Sequence, residues 1–391
     1  MRSNLYISFT SLMSVCASTA FAAPPAYIVK DLGTLSGANE AFEPGTIGLA
    51  ASTAAIVGSS VTTLPNREFH AFRVVGDTMQ DLGVLVGDEH SMAFGVNNSG
   101  DAVGVSYALG QLTYHGVLWS AAGATTSLGD VEPRDINESG AIAASTLVVA
   151  APGTTHATLI VGRVSTDLGT LGGPTSMGLA LNADNWVVGQ SLLADGQKLH
   201  AFVHRNGSML DLGTLGGSHS SALDVQGLTV VGVADTATGI PHATRWTLTP
   251  SGALASVTDL GKLPSAPSSA ALGTNAAGTI VGISGDSAFR WHGGSMVDLN
   301  AHIAPTSTWH LMRATAIDAN GRIVGTGKHA GLQRAFLLVP RAASDLDADG
   351  DVDAADLALL LGGWGSGEFD IDGDDTVNAA DLAIMLGAWT G

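Results

Sequence analysis

The sequence predicts an all-β, seven-bladed β-propeller followed by a small α-helical module with two aspartate-rich loops. Three observations carry this. Three short segments each recur seven times between residues 27 and 340, at a mean spacing of about 44 residues. Their order lets the first strand complete the last blade. After residue 344 an Asp-x-Asp-x-Asp register begins, and it appears twice, 25 residues apart.

From the N-terminus, Arg2 precedes an uncharged stretch, Leu5 to Phe21, that ends in Ala20-Phe21-Ala22 before Ala23-Pro24-Pro25. A charged start, a short apolar core and a small-residue exit define a secretory signal, so residues 1–22 are expected to be cleaved near Ala22-Ala23. The core is too short to span a bilayer and no later run is long enough, so no membrane insertion is expected. The expected location is extracellular or at the cell surface. Cys16, the only cysteine, leaves with the signal, and the mature chain then rests on core packing and bound metal. Net charge is −19, but from Asp345 onward there are twelve Asp/Glu and no Lys or Arg. The remainder carries 23 acids against 16 bases, which argues against a nucleic-acid partner. Only 13% of residues are charged and 51 are glycine, as suits short strands and tight turns.

Residues 23–340 form the repeat region. Asp-Leu-Gly-Thr-Leu stands at Asp31–Leu35, Asp167–Leu171 and Asp211–Leu215, with variants beginning at Asp81, Ser127, Asp259 and Asp298. An Asn-x-x-Gly turn leads into a strand ending in Val-Gly, as from Asn97 to Gly104 and from Asn275 to Gly282. The turn supplies residues that tolerate positive φ, and Val, Ile, Phe and Trp supply the pleated surface. His-Ala-Phe or a relative begins at His70, His115, His156, His200 and His242, then recurs as Ala288-Phe289 and Ala335-Phe336. A stacked solenoid is the rival, but it requires capping repeats. The chain enters with an Asp-Leu-Gly strand lacking its predecessors and leaves after a His-Ala-Phe-type strand lacking its successor. A ring closed by the N-terminal strand removes the open edge.

These repeats resemble the bacterial extracellular HAF-repeat family over most of residues 27–340. The resemblance implies an extracellular propeller and implies no chemistry. The repeat histidines could suggest metal binding, but ring closure spreads them apart, so a structural role is expected. The Asp of Asp-Leu-Gly is expected to satisfy backbone donors in a turn. Glycoside hydrolysis requires two carboxylates across one cleft. The non-repeat acids that could serve are Glu40, Glu43, Glu68, Asp88, Glu89, Glu132, Asp195 and Asp286, none of them in a recognisable motif. No nucleophile elbow, phosphate loop or zinc signature is present, so the catalytic residues are left unassigned. Tyr107, Tyr114 and Trp309 lie outside the repeat core positions and could stack on sugar rings.

After a linker at 341–344, residues 345–391 place oxygen ligands at positions 1, 3, 5, 9 and 12 of a twelve-residue loop: Asp345, Asp347, Asp349, Asp353 and Asp356. Asp351 at position 7 offers its backbone carbonyl, and Gly350 at position 6 allows the sharp turn. The second loop repeats the register with Asp370, Asp372, Asp374, Asn378 and Asp381, with Thr376 at position 7 and Asp375 where glycine is expected. This is EF-hand loop logic, so two Ca²⁺ ions are the expected cofactors. A short apolar helix follows each loop, with Leu and Trp364 or Trp389 expected in a shared core. Two such loops with no preceding helix resemble a type I dockerin domain. That resemblance implies that Ala354, Ala355, Ala379 and Ala380 face a cohesin partner. The expected function is a non-catalytic binding or scaffold propeller tethered to a cohesin-bearing or cell-surface protein, with carbohydrate as a further expected ligand. The alternative is a dockerin-borne carbohydrate-active hydrolase acting on O-glycosyl bonds.

Overall fold

The computed structural model describes residues 26–36, 46–62, 68–110, 114–148, 153–347, 349–367, 369–372 and 376–390. The expected signal and its cleavage point lie outside the described residues, as do Glu40, Glu43, Asp374 and Asp375.

Seven sheets of four antiparallel strands form the ring. Blades 1 to 6 occupy residues 46–83, 90–129, 131–167, 172–213, 216–259 and 269–298. Blade 7 takes three strands from 309–340, and its outermost strand is Tyr27–Asp31. That strand runs antiparallel to Leu332–Pro340, with Tyr27 opposite Pro340 and Asp31 opposite Phe336. The closure expected from segment order is therefore the one observed, and no blade is left with a missing edge strand.

The Val-Gly and His-Ala-Phe segments recur together because they pack together. In blade 4 a Cβ on Gly189 would lie 1.9 Å from the Met177 carbonyl and 3.2 Å from the Phe202 ring. Gly58, Gly282 and Gly325 sit as close to the inner-strand carbonyl and closer still to Phe72, Phe289 and Phe336. All four rings are fully buried. Blade 3 has Ala144 in place of the glycine, opposite Thr158 rather than a phenylalanine. A smaller neighbour accommodates the extra methyl.

In the Asn-x-x-Gly turns the positive φ falls on glycine, as at Gly100, Gly140, Gly278 and Gly321. The asparagine has a different task. The Asn97 Oδ1 accepts from the N–H groups of Ser99 and Asp101, closing its own turn. Its Nδ2 donates to the Asn137 carbonyl of the next blade at 3.2 Å. Asn137 donates likewise to the Asn182 carbonyl, Asn182 to the Gly227 carbonyl and Asn275 to the Asp318 carbonyl. Between blades 7 and 1 Arg322 donates to the carbonyls of Ser52 and Thr53.

The C-terminal segment holds two helices, α1 (Ala354–Gly362) and α2 (Ala379–Gly387). Val352, Leu360, Val377 and Met385 form their shared core. Trp364 and Trp389, which follow the helices, are not in that core; they are 48% and 37% exposed. Arg341, in the expected linker, donates its backbone N–H to the Ala26 carbonyl beside the closing strand. Among the described residues, no helix is long and apolar enough to cross a membrane.

Candidate functional site

The repeat residues assemble the joints between blades. His70, His156, His200 and His242 bring Nδ1 to 2.8–3.0 Å of the carboxylates of Asp81, Asp167, Asp211 and Asp259 within their own blades. Each of these carboxylates also accepts the N–H of the glycine two residues on, as expected for a turn. The adjoining alanine and glycine are bound by the next blade. The Ala201 N–H donates to Ser220 Oγ at 2.8 Å, and Ser220 Oγ–H donates to the Gly213 carbonyl at 2.6 Å. Ser91, Ser176 and Ser269 make the same pair of bonds. The deviant blades keep the pairing with other residues. His115 reaches Asp88 instead of a following aspartate, and His329, outside the repeat register, reaches Asp31 in blade 7.

The carboxylates of Asp81 and Asp167 are desolvated at the joints, which by itself raises their pKa. The bonds from histidine and glycine outweigh this and hold both below the usual carboxylate range. Correspondingly His70 is raised, first by its bond to Asp81 and against desolvation.

The non-repeat acids singled out in the sequence are engaged in different places. Glu68 lies 3.6 Å from His70, Asp88 binds His115, and Glu89 accepts the Leu109 N–H. Glu132 pairs with Arg134, Asp195 caps a hairpin turn, and Asp286 lies 3.9 Å from His310. Of the aromatics, Trp309 is stacked on His329 at 4.7 Å, and Tyr107 lies between His90 and Tyr114. Only Tyr114, at 50%, is broadly exposed.

What the ring does gather is at its centre. Every inner strand carries a β-bulge at one register, between Gly48 and Ala50 in blade 1 and between Pro133 and Asp135 in blade 3, for example. A bulge re-aims one side chain. The extra residues are Leu49, Phe94, Arg134, Leu179, Leu223, Leu272 and Thr315, and all line a central cavity of about 300 Å³. The residue after the bulge is Ala or Gly in five blades. In blades 3 and 5 it is Asp135 and Asp224, and both line the same cavity.

These two carboxyls were missed in the sequence because they fall at repeat positions outside any motif. The available signal was an acid where sister blades have Ala50, Gly95, Ala180, Gly273 and Ala316. Asp135 accepts the N–H of Ile136 at 2.8 Å and, across the joint, that of Leu181 at 3.1 Å. Asp224 accepts the N–H of Val225 and, in blade 6, that of Thr274, both at 2.7 Å. Burial pushes Asp135 up to about 7, with the charge of Asp224 adding to it. Burial pushes Asp224 up to about 6. Both are partly accessible where they line the cavity, and both are strongly desolvated. The cationic lining residue is Arg134, which lies 4.4 Å over the Phe94 ring and is held by Glu132.

In the C-terminal segment the first loop brings carboxylate oxygens of Asp345, Asp347 and Asp349 within 4.8 Å of one another. The second does so with Asp370, Asp372 and Asp381. Gly350 takes φ +108°, the turn expected at position 6. Asp353 and Asn378 are the N-caps of α1 and α2, in capping boxes with Asp356 and Asp381. Asp356 accepts from the N–H groups of Leu346, Asp347 and Asp353, and Asp381 from those of Ile371, Asp372 and Asn378. Burial, with the charges of Asp349, Asp356 and Asp353, pushes Asp347 up. An all-oxygen set of mutually repelling carboxylates fits a hard divalent cation. Asp351 and Thr376 are exposed, as are Ala354, Ala355, Ala379 and Ala380 in the first turns of the helices.

No family model matches the chain, and no curated protein matches it. Among solved structures it is similar to the β-propeller domain of the Trilobed protease from Pyrococcus furiosus, at 7% identity and a TM-score of 0.50, covering 74% of this chain and 95% of that one. That domain is described as having an open velcro topology, whereas here the N-terminal strand closes blade 7. A puromycin-hydrolyzing peptidase from Mycobacterium tuberculosis is similar at 10% identity and a TM-score of 0.48, over 81% of this chain and 55% of that one. TolB from Acinetobacter baumannii follows at 11% identity and 0.41, over 75% of this chain and 63% of that one. This chain therefore spans less than two thirds of the TolB and peptidase chains. At such identities the first likeness shows the seven-bladed propeller fold alone.

Proposed function

We propose that this is a secreted, non-catalytic binding ring of the HAF-repeat type, held at its place of work by a calcium-dependent dockerin-like module. The observation that carries the tethering is the doubling: two acidic clusters that share Asp-x-Asp at 345/347 and 370/372, each before a capped helix, packed through Val352 and Val377. In this reading Asp345, Asp347, Asp349, Asp353 and Asp356, with the Asp351 carbonyl, hold one Ca²⁺. Asp370, Asp372, Asp374, Asn378 and Asp381, with the Thr376 carbonyl, hold the other. The ions supply charge neutralisation that lets crowded carboxylates fold together. The exposed Ala354, Ala355, Ala379 and Ala380 would face a cohesin-like domain or a cell-surface protein.

The test is capture from surface proteins of the secreting organism by the full chain. Calcium-dependent recovery of a cohesin-bearing or other surface protein is expected. Recovery that chelator leaves unchanged sinks the tethering reading. A second reading, a hydrolase acting on O-glycosyl bonds, is favoured only by the shared cavity of Asp135 and Asp224. Release of reducing sugar from a polysaccharide panel, abolished in Asp135→Asn and Asp224→Asn variants, would establish it in place of the first.

A further inference from the structure

The bulge register poses a question that the joints do not answer. Five blades make the bulge with Ala or Gly, so the backbone does not require a carboxyl there. Blades 3 and 5 nevertheless place Asp135 and Asp224 against a common cavity. Each carboxylate oxygen receives one backbone N–H, and an ionised carboxylate accepts about four hydrogen bonds in all. Acceptor capacity therefore remains on both groups, each of which lines the cavity. Among the described residues neither forms an ion pair, and uncompensated buried carboxylates are costly.

The surrounding wall is mixed, with Asn137, Asn182, Gln226 and Thr315 among its polar residues and a ring of leucines at the bulges. Leu49, Leu179, Leu223 and Leu272 project from their bulges into the cavity, with Phe94 beside them under Arg134. The charged and titratable residues of the lining are Arg134, Asp135 and Glu138 from blade 3 and Asp224 from blade 5. Blades 1, 2, 4, 6 and 7 present none to it. Behind the carboxyls, the strand neighbours are Ala143 and Val231. Arg134 is already engaged by Glu132, and Glu138 accepts the Asn98 N–H and side-chain amide at the turn. The cavity thus combines a sleeve of leucines on part of its wall with two acceptor groups that form no ion pair among the described residues.

We propose that the channel is a binding site for a linear alkylammonium group, its stem against the leucine sleeve and its charged head at the carboxyls of Asp135 and Asp224. A lysine side chain or a free amine has this form, a strongly hydrated ammonium on a flexible apolar stem. A cavity of about 300 Å³ is of the size that small ligands occupy. The proposal rests on the binding-ring reading and supplies its ligand class. Binding favours the ionised carboxyls, so protons held by Asp135 and Asp224 pass to the buffer as the ammonium enters. Affinity accordingly rises from pH 5 to pH 8.

Titration calorimetry of the full chain with n-pentylamine, in buffers of differing ionisation enthalpy, tests this. One amine is expected to bind per chain at pH 8, at least tenfold more weakly at pH 5, with proton release at pH 6.5. 1-Pentanol, which shares the stem and lacks the charge, is expected not to bind. Asp135→Asn with Asp224→Asn is expected to lower amine affinity at least tenfold. Absence of binding, equal binding of the alcohol, or unchanged affinity in the double variant overturns the proposal. If the double variant does not fold, Leu223→Trp, which fills the sleeve and keeps both carboxyls, decides: unchanged affinity is then the overturning result. Failure with the amine leaves the tethered-ring reading to the surface-protein capture, which does not involve the channel.

Discussion

The blade joints and the central channel use the same residue in opposite ways. At the joints, Asp81 and Asp167 face a histidine and a glycine N–H that outweigh desolvation, and their pKa values are depressed. In the channel, Asp135 and Asp224 also hold two backbone N–H groups each, yet burial without a cation drives their pKa values up. The number of N–H donors does not decide the sign. What differs is a partner that becomes positive and a path to solvent. The joints are built to be satisfied within the chain, whereas the channel leaves capacity unused.

The contrast can be broken in four ways. The largest effect is expected in the packing that both regions share. Phe202→Ala should cost about 4 kcal/mol, since it empties a fully buried ring site beside Gly189. Denaturant unfolding measures this, and a loss below about 1 kcal/mol would show that the blades do not depend on that contact.

The next effect is on pH dependence. The raised channel carboxyls favour the protonated folded state, so their contribution is present below the ordinary aspartate range. It is lost as pH rises through about 6 for Asp224 and about 7 for Asp135. Between pH 4 and pH 8 about 4 kcal/mol is at stake for Asp135 and about 2 kcal/mol for Asp224. The depressed joint carboxylates have the reverse sign, with stability present above the ordinary range and lost in stronger acid. His70, raised by Asp81, contributes below about pH 6.5 and fades as pH climbs through its own higher value. Unfolding free energies measured across pH 3–9 should show both limbs. Asp135→Asn with Asp224→Asn should flatten the neutral one and leave the acid one.

A smaller loss is expected at a single joint. Ser220→Ala leaves the Ala201 N–H and the Gly213 carbonyl without their shared hydroxyl, at a cost of about 2 kcal/mol. Ser220→Thr, which retains the hydroxyl, should recover part of it. The smallest effect on the ring should come from calcium. Chelation should change the emission of exposed Trp364 and Trp389 while moving the ring's stability by less than about 0.5 kcal/mol, because the helices share no core with the blades. A large shift in the ring's unfolding midpoint would show that the first loop, which bonds through Arg341 to residue 26, supports closure.

Much of this was legible in the residues themselves. Seven copies of three segments specified seven blades, because a repeat that cannot bury its own face must stack on its neighbours. The order of segments specified closure by Tyr27–Asp31, since an edge strand needs a partner. The doubled aspartate register placed two capped helices at the right residues, because caps are local. Other features were decided only in three dimensions. The pairing of repeat histidines with repeat aspartates depends on the register of two antiparallel strands, which spacings of eleven or seventeen residues do not reveal. The exposure of Trp364 and Trp389, outside the core of Val352, Leu360, Val377 and Met385, was another. Above all, Asp135 and Asp224 stand 89 residues apart with no motif around either. They face one cavity because every inner strand bulges at one register and the ring turns those bulges toward its axis, a meeting that only closure can produce.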